Sequence, residues 1–143
     1  MKTILALGLA VAALAARAAD APALPYEAKA THLGVVNCAS SLCHGSISEW
    51  KGSTVLQNEY VTWSRVDKHA LRANQVLLND RSKRTAANLG LKQPAHEAKI
   101  CVDCHGHNPP ADRRGERFKA SDGIGCEACH GPSEHWIKSH VAP

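Results

Sequence analysis

The chain has 143 residues, with 17 Lys+Arg against 13 Asp+Glu, 9 His, 6 Cys and a single Met. That length suits one small domain, and an aromatic content of 4% leaves it poor in the bulky groups that fill a core, so a metal, a disulfide set or a large cofactor is expected to supply apolar mass. No block of like charge suggests a nucleic-acid arm, and no apolar run beyond the N-terminus is long enough to span a bilayer.

Residues 1–18 read as a secretory signal peptide: Lys2, an apolar stretch from Ile4 to Leu14, then Ala16-Arg17-Ala18 as an A-x-A cleavage site. A membrane anchor is the alternative, but the stretch is short and no polar stop follows it. Removing Lys2 and Arg17 lowers the formal charge from +4 to +2, so basic character says little about partners. The reading places the chain outside the cytoplasm, in a bacterial periplasm or at the cell exterior. Residues 19–31 form an extended, Ala/Pro-rich lead-in.

Apolar positions Val61, Val66, Ala70, Val76 and Leu77 predict a helix from Asn58 to Asn79. A short helix follows from Ser82 as N-cap to Leu89, with Gly90 as its stop. Further helices are expected from Pro94 through Cys104 and around Glu134 to His140, with a polar loop from Gly106 to Gly125 between them. Period-2 alternation is nearly absent. The expected fold is mostly α and loop-rich, with little or no β.

The six cysteines form three pairs, each followed directly by histidine: Cys38/Cys43 before His44, Cys101/Cys104 before His105, and Cys126/Cys129 before His130. The last two are C-x-x-C-H, the signature of covalent haem attachment. Two thiols at i and i+3 lie on one side of a helical turn and can bond the two haem vinyl groups. The next residue then presents its imidazole to the iron as proximal ligand. A zinc ribbon would also use paired cysteines, and residues 105–125 separate the two C-x-x-C pairs at close to a ribbon's spacing. That arrangement explains neither the three histidines nor Cys38 and Cys43. A disulfide scaffold suits an exported chain but has no need of the histidines either. In the first pair, Ala39-Ser40-Ser41-Leu42 must bulge for both thiols to reach one haem, with Leu42 lying over the macrocycle.

Three haems c, with their iron, would supply the missing apolar mass, wrapped by short helices. No methionine follows Met1, so His/Met ligation is excluded. His32, His69, His96, His107, His135 and His140 remain, and bis-histidine ligation becomes the default.

Several segments carry a family resemblance: His32-Leu33-Gly34-Val35-Val36-Asn37-Cys38 through Gly45, Tyr60-Val61-Thr62-Trp63-Ser64 leading to Lys68-His69-Ala70, Asp122 to Pro132, and Trp136-Ile137-Lys138-Ser139-His140. Across residues 32–140 the chain resembles the multihaem c-type cytochromes related to the tetrahaem cytochrome of ammonia-oxidising bacteria. The resemblance implies His32, His69 and His140 as distal ligands. His135 competes with His140, and the bland alternatives are a partly buried, hydrogen-bonded histidine for His69, a surface histidine near the chain end for His140 and a mobile lead-in for His32. His140 lies ten residues past His130, about 15 Å if helical, so it should serve a different haem from the one His130 holds. His96 and His107 read as surface residues or propionate partners, and Arg113, Arg114 and Arg117 as a solvated loop in which one could pair with a propionate. The four-residue first spacing departs from the family pattern. Similar proteins often continue to further haems, which leaves open that residues 32–143 are the N-terminal portion of a longer multihaem domain.

The expected function is electron transfer between redox partner proteins, with no nucleic acid and membrane association only through such a partner. The rival readings are an oxidoreductase acting on a small nitrogen or sulfur oxyanion at an open haem, and a structural subunit of a cytochrome assembly. The enzyme would need proton donors such as Tyr26, Tyr60, Lys68 and His107 around the iron.

Overall fold

The computed structural model describes residues 28–141; the expected signal peptide, and the lead-in up to residue 27, lie outside them. The described chain starts by laying its backbone against a later loop. His32 N–H donates to the Arg113 carbonyl at 2.8 Å and Gly115 N–H to the His32 carbonyl at 2.9 Å. This His32–Arg114 bridge is the one β pairing among the described residues, and the mostly α, loop-rich architecture is as expected. A 3-10 turn over Val35–Cys38 leads into the first cysteine pair.

The single helix predicted over 58–79 is instead three pieces: α1 (Glu59–Val66), α2 (Lys68–Leu71) and a 3-10 turn, Gln75–Leu78. The break is at Asp67, whose backbone is extended (φ −78°, ψ 130°) and whose carboxylate accepts the His69 backbone N–H at 2.8 Å. An Asp that bonds the backbone two residues on offers the chain a cap in place of a continuing helix. Next comes α3 (Asp80–Asn88), capped by Asn79 rather than Ser82: the Asn79 Oδ1 accepts Ser82 N–H at 2.9 Å. The Ser82 hydroxyl donates back to the Val76 carbonyl at 2.6 Å. Gly90 ends the helix as expected, left-handed at φ 66°, with Leu91 N–H bonded to the Ala86 carbonyl at 3.0 Å in a Schellman arrangement.

Between Pro94 and Cys104 the chain makes a turn, then an extended Ala98 (ψ 118°), and only then α4 (Lys99–His105). Ala95 and Ala98 are both buried there, and the interruption lets them pack under the helix. Leu77, Ala86, Ala95 and Val102 form the core cluster, with Val76, Leu91 and Cys101 against it. This is a small core. Fully burying Leu77 contributes about 1.5–3 kcal/mol. The cluster serves as the platform on which α4 presents the second cysteine pair.

The final elements are α5 (Cys126–His130) and a 3-10 turn, Ser139–Val141, in place of the expected 134–140 helix. The loop before α5 is pinned on two sides. Trp63 Nε1–H donates to the Ile124 carbonyl at 2.9 Å, and Ile124 N–H donates to the His69 carbonyl at 3.0 Å. Gly123 has φ 79°, and a Cβ there would meet the His69 carbonyl oxygen at 2.4 Å, so only glycine allows this approach.

Candidate functional site

One cavity of about 610 Å³ gathers the first and third cysteine motifs. Cys38, Cys43 and His44 line it together with Cys126, Cys129 and His130, as do His69 and His140, and Val55, Trp63, Ile124 and Ile137 give it an apolar wall. Residues 38–44 and 126–130 are far apart in sequence. Two contacts join them: the Glu127 carboxylate accepts the Leu33 and Gly34 N–H groups ahead of the first motif, and the Cys38 and Cys126 thiols hydrogen-bond to each other. That bond, then burial, pushes the Cys38 thiol up, while the same bond lowers Cys126 to about 7.

The first motif reaches the cavity by a tight turn. Cys43 and Gly45 N–H groups both donate to the Ser40 carbonyl at 2.9 Å, and His44 N–H donates to the Cys38 carbonyl at 3.2 Å. A Cβ on Gly45 would stand 1.9 Å from the Ala39 carbonyl oxygen, so the turn closes only on glycine. The bulge is present, but Leu42 does not cover the site: its residue is 85% exposed and lines neither cavity. The turn points that side chain outward and brings the two cysteines in.

Three of the cavity histidines have their Nδ1 committed. His44 Nδ1 is 2.9 Å from Glu59 Oε2, His69 Nδ1 is 2.9 Å from Asp67 Oδ1, and His140 Nδ1 is 3.2 Å from the Trp136 carbonyl. A ring that donates from Nδ1 leaves Nε2 as the lone-pair nitrogen, the form in which imidazole binds a metal. The His69 backbone N–H, and then its ring, hold the Asp67 carboxyl below the usual carboxylate range. His44 and His140 also face one another, with ring centroids 6.2 Å apart and planes within 6° of parallel.

The other histidines stand differently. His135 and His96 turn Nε2 toward a carboxylate, at 3.8 Å from Glu134 and 3.5 Å from Glu97, and neither lines this cavity. His32 is wholly buried and lines neither cavity; its ring meets the edge of His107 at 4.6 Å. His107 is no surface residue, being 6% exposed, with its Nε2 unbonded and its ring against Phe118. Burial, then the neighbouring His32, lowers His107 to about 4. The polar loop hides it because His107 N–H is tied to the Gly123 carbonyl at 2.9 Å.

A second cavity, of about 850 Å³, has His107 in its wall. Cys104, Lys99, Arg113 and Arg114 line it, whereas Cys101 packs on the core and His105 is exposed. Arg114 is held by the Asn108 side chain at 2.7 Å and the Pro109 carbonyl at 3.0 Å, so this loop is ordered by its own hydrogen bonds. Arg117 instead donates to Asn37 Oδ1 at 3.3 Å. The residues an enzyme would need are not assembled: Tyr60 lines the first cavity, His107 the second and Lys68 neither, while Tyr26 lies outside the described residues.

Whether haem fits is answered by the walls. The first cavity is apolar, meets four cysteines at its edge and offers histidine nitrogens, as a covalently tethered macrocycle requires. Among the described residues no group of three or more His, Cys, Asp and Glu converges as a metal cluster, so the cysteine pairs do not assemble a ribbon-type centre. None of the six cysteines forms a disulfide.

Cys-Cys-His motifs gathered around an apolar cavity are the arrangement of a c-type cytochrome. The chain belongs to the cytochrome c554 and c-prime family, whose model matches residues 37–131, a span holding all six cysteines and the three histidines that follow them. Membership brings covalently bound haem c and a haem-based electron-transfer role. No curated protein and no solved structure matches the chain. Sequence reasoning missed Glu59, Asp67 and Glu127; the first two stand beside histidines only after folding or across a helix break, and Glu127 looked like a spacer within its motif.

Proposed function

We propose that this chain is an exported, periplasmic electron carrier holding three haems c, on Cys38/Cys43, Cys101/Cys104 and Cys126/Cys129, with His44, His105 and His130 as proximal ligands. The observation that carries the reading is the apolar cavity on which Cys38, Cys43 and His44 open together with Cys126, Cys129 and His130, with His69 and His140 in the same wall. His140, its ring centre 6.2 Å from that of His44, would serve the first motif, and His69 in the same cavity the third. Haem iron supplies one-electron chemistry; the chain contributes ligands, apolar walls and the carboxylates that orient the imidazoles. Two motifs opening on one cavity favour short electron paths between them.

Spectra of the oxidised protein test the ligand set. His140→Ala and His69→Ala should each convert one haem from low to high spin without detaching it, whereas His135→Ala should change nothing. Spectra identical to wild type for both of the first two would overturn the assignment.

The second cavity favours a second reading for the middle motif. Among the residues that line it His107 is the one histidine, only two positions from His105, and the wall carries Lys99, Arg113 and Arg114. An iron there with one histidine would be open to a small oxyanion. A high-spin fraction in the wild-type protein that binds added anions supports this reading, and a wholly low-spin spectrum removes it.

A further inference from the structure

Glu127 is the second residue of the third motif and is 1% exposed. Its carboxylate accepts four hydrogen bonds: from Leu33 N–H at 2.8 Å, Gly34 N–H at 2.7 Å, Ser133 N–H at 2.8 Å and the Ser133 hydroxyl at 2.6 Å. Accepting in all four is the bonding pattern of an ionised carboxylate, and these four donors are neutral. Leu33 and Gly34 immediately precede the turn that carries Cys38, so this one side chain ties the first motif to the third. The charge also acts on residues of both cavities. Its field reaches Cys38 and Cys126 in the wall of the first and His107 in the wall of the second.

We infer that Glu127 is a positioning residue and a fixed buried anion that sets the haem potentials low, an inference that rests on the haem reading above. A ferric haem carries one more positive charge than a ferrous one. A buried negative charge therefore favours the oxidised form, and low-dielectric surroundings strengthen the effect. A clamp alone would act on assembly and stability; a charge also acts on the potential.

Glu127→Gln separates the two, because it removes the charge while keeping the shape. With three haems retained by intact mass, spectroelectrochemical titration should show at least one midpoint raised by a tenfold change in the one-electron equilibrium, about 59 mV. Unchanged midpoints in that variant would overturn the inference while leaving the haem reading standing. If Glu127→Gln does not assemble, Ser133→Ala takes its place. Losing the hydroxyl donor leaves the charge less neutralised, so the midpoints should move down, opposite in sign, and unchanged midpoints again overturn the inference. A wild-type protein without haem would instead refute the reading on which it rests.

Discussion

At the scale of single residues, the histidines of the first cavity owe their orientation to acceptors that the sequence gives little sign of. Glu59 bonds the His44 ring from the first turn of α1, and it should strengthen that imidazole as a donor. Glu59→Gln is therefore expected to raise the potential of one haem while all thioethers stay intact, as titration and mass together would register; an unchanged potential would reduce Glu59 to a surface group. The cysteines and the histidines that follow them were legible because covalent attachment demands a local spacing. Glu127 was not, because its donors Leu33 and Gly34 come from the other end of the domain. Leu42 shows the same limit in reverse: apolar character suggested burial, but the hydrogen bonds of the 40–45 turn aim it at solvent. Peptide mapping should still find haem on the fragment from Asn37 to Gly45. A haem-free fragment two hydrogens lighter than the dithiol would mean a Cys38–Cys43 disulfide instead.

At the scale of elements, caps and breaks decide where the ligands go. The expected helix over 58–79 had the right apolar period, but Asp67 stops it, and the stop gives His69 both a bonded backbone and a bonded ring. Periodicity reports which side chains can share a face; it does not report a side chain that captures its own backbone. Two substitutions distinguish scaffold from site. Asn79→Ala removes the α3 cap and should cost about 1 kcal/mol in denaturant unfolding, with the haem spectrum unchanged. Gly123→Ala forces a Cβ against the His69 carbonyl in a left-handed backbone, a strain of about 1–3 kcal/mol, and should also alter the low-spin spectrum. A Gly123→Ala protein with both stability and spectrum at wild-type values would show that the loop before α5 does not hold His69.

At the scale of the whole molecule, the chain makes little of its own core. Apart from the cluster around Leu77, its buried apolar residues are few and small, while Ile47, Trp50, Val66 and Ile100 are exposed. The low aromatic content already pointed this way, and the apolar wall of the first cavity offers a place for the haem mass that the family implies. A chain with all six cysteines replaced by alanine should accordingly lack a cooperative unfolding transition, read by near-ultraviolet circular dichroism against the haem-loaded protein. A sharp transition in that variant would show that the polypeptide core suffices alone. Haem number is what the account turns on, and the intact mass of the protein matured in a periplasm with its haem-attachment machinery measures it directly. Three haem additions and no free thiol are predicted; one addition or none, or bound zinc in their place, would contradict it.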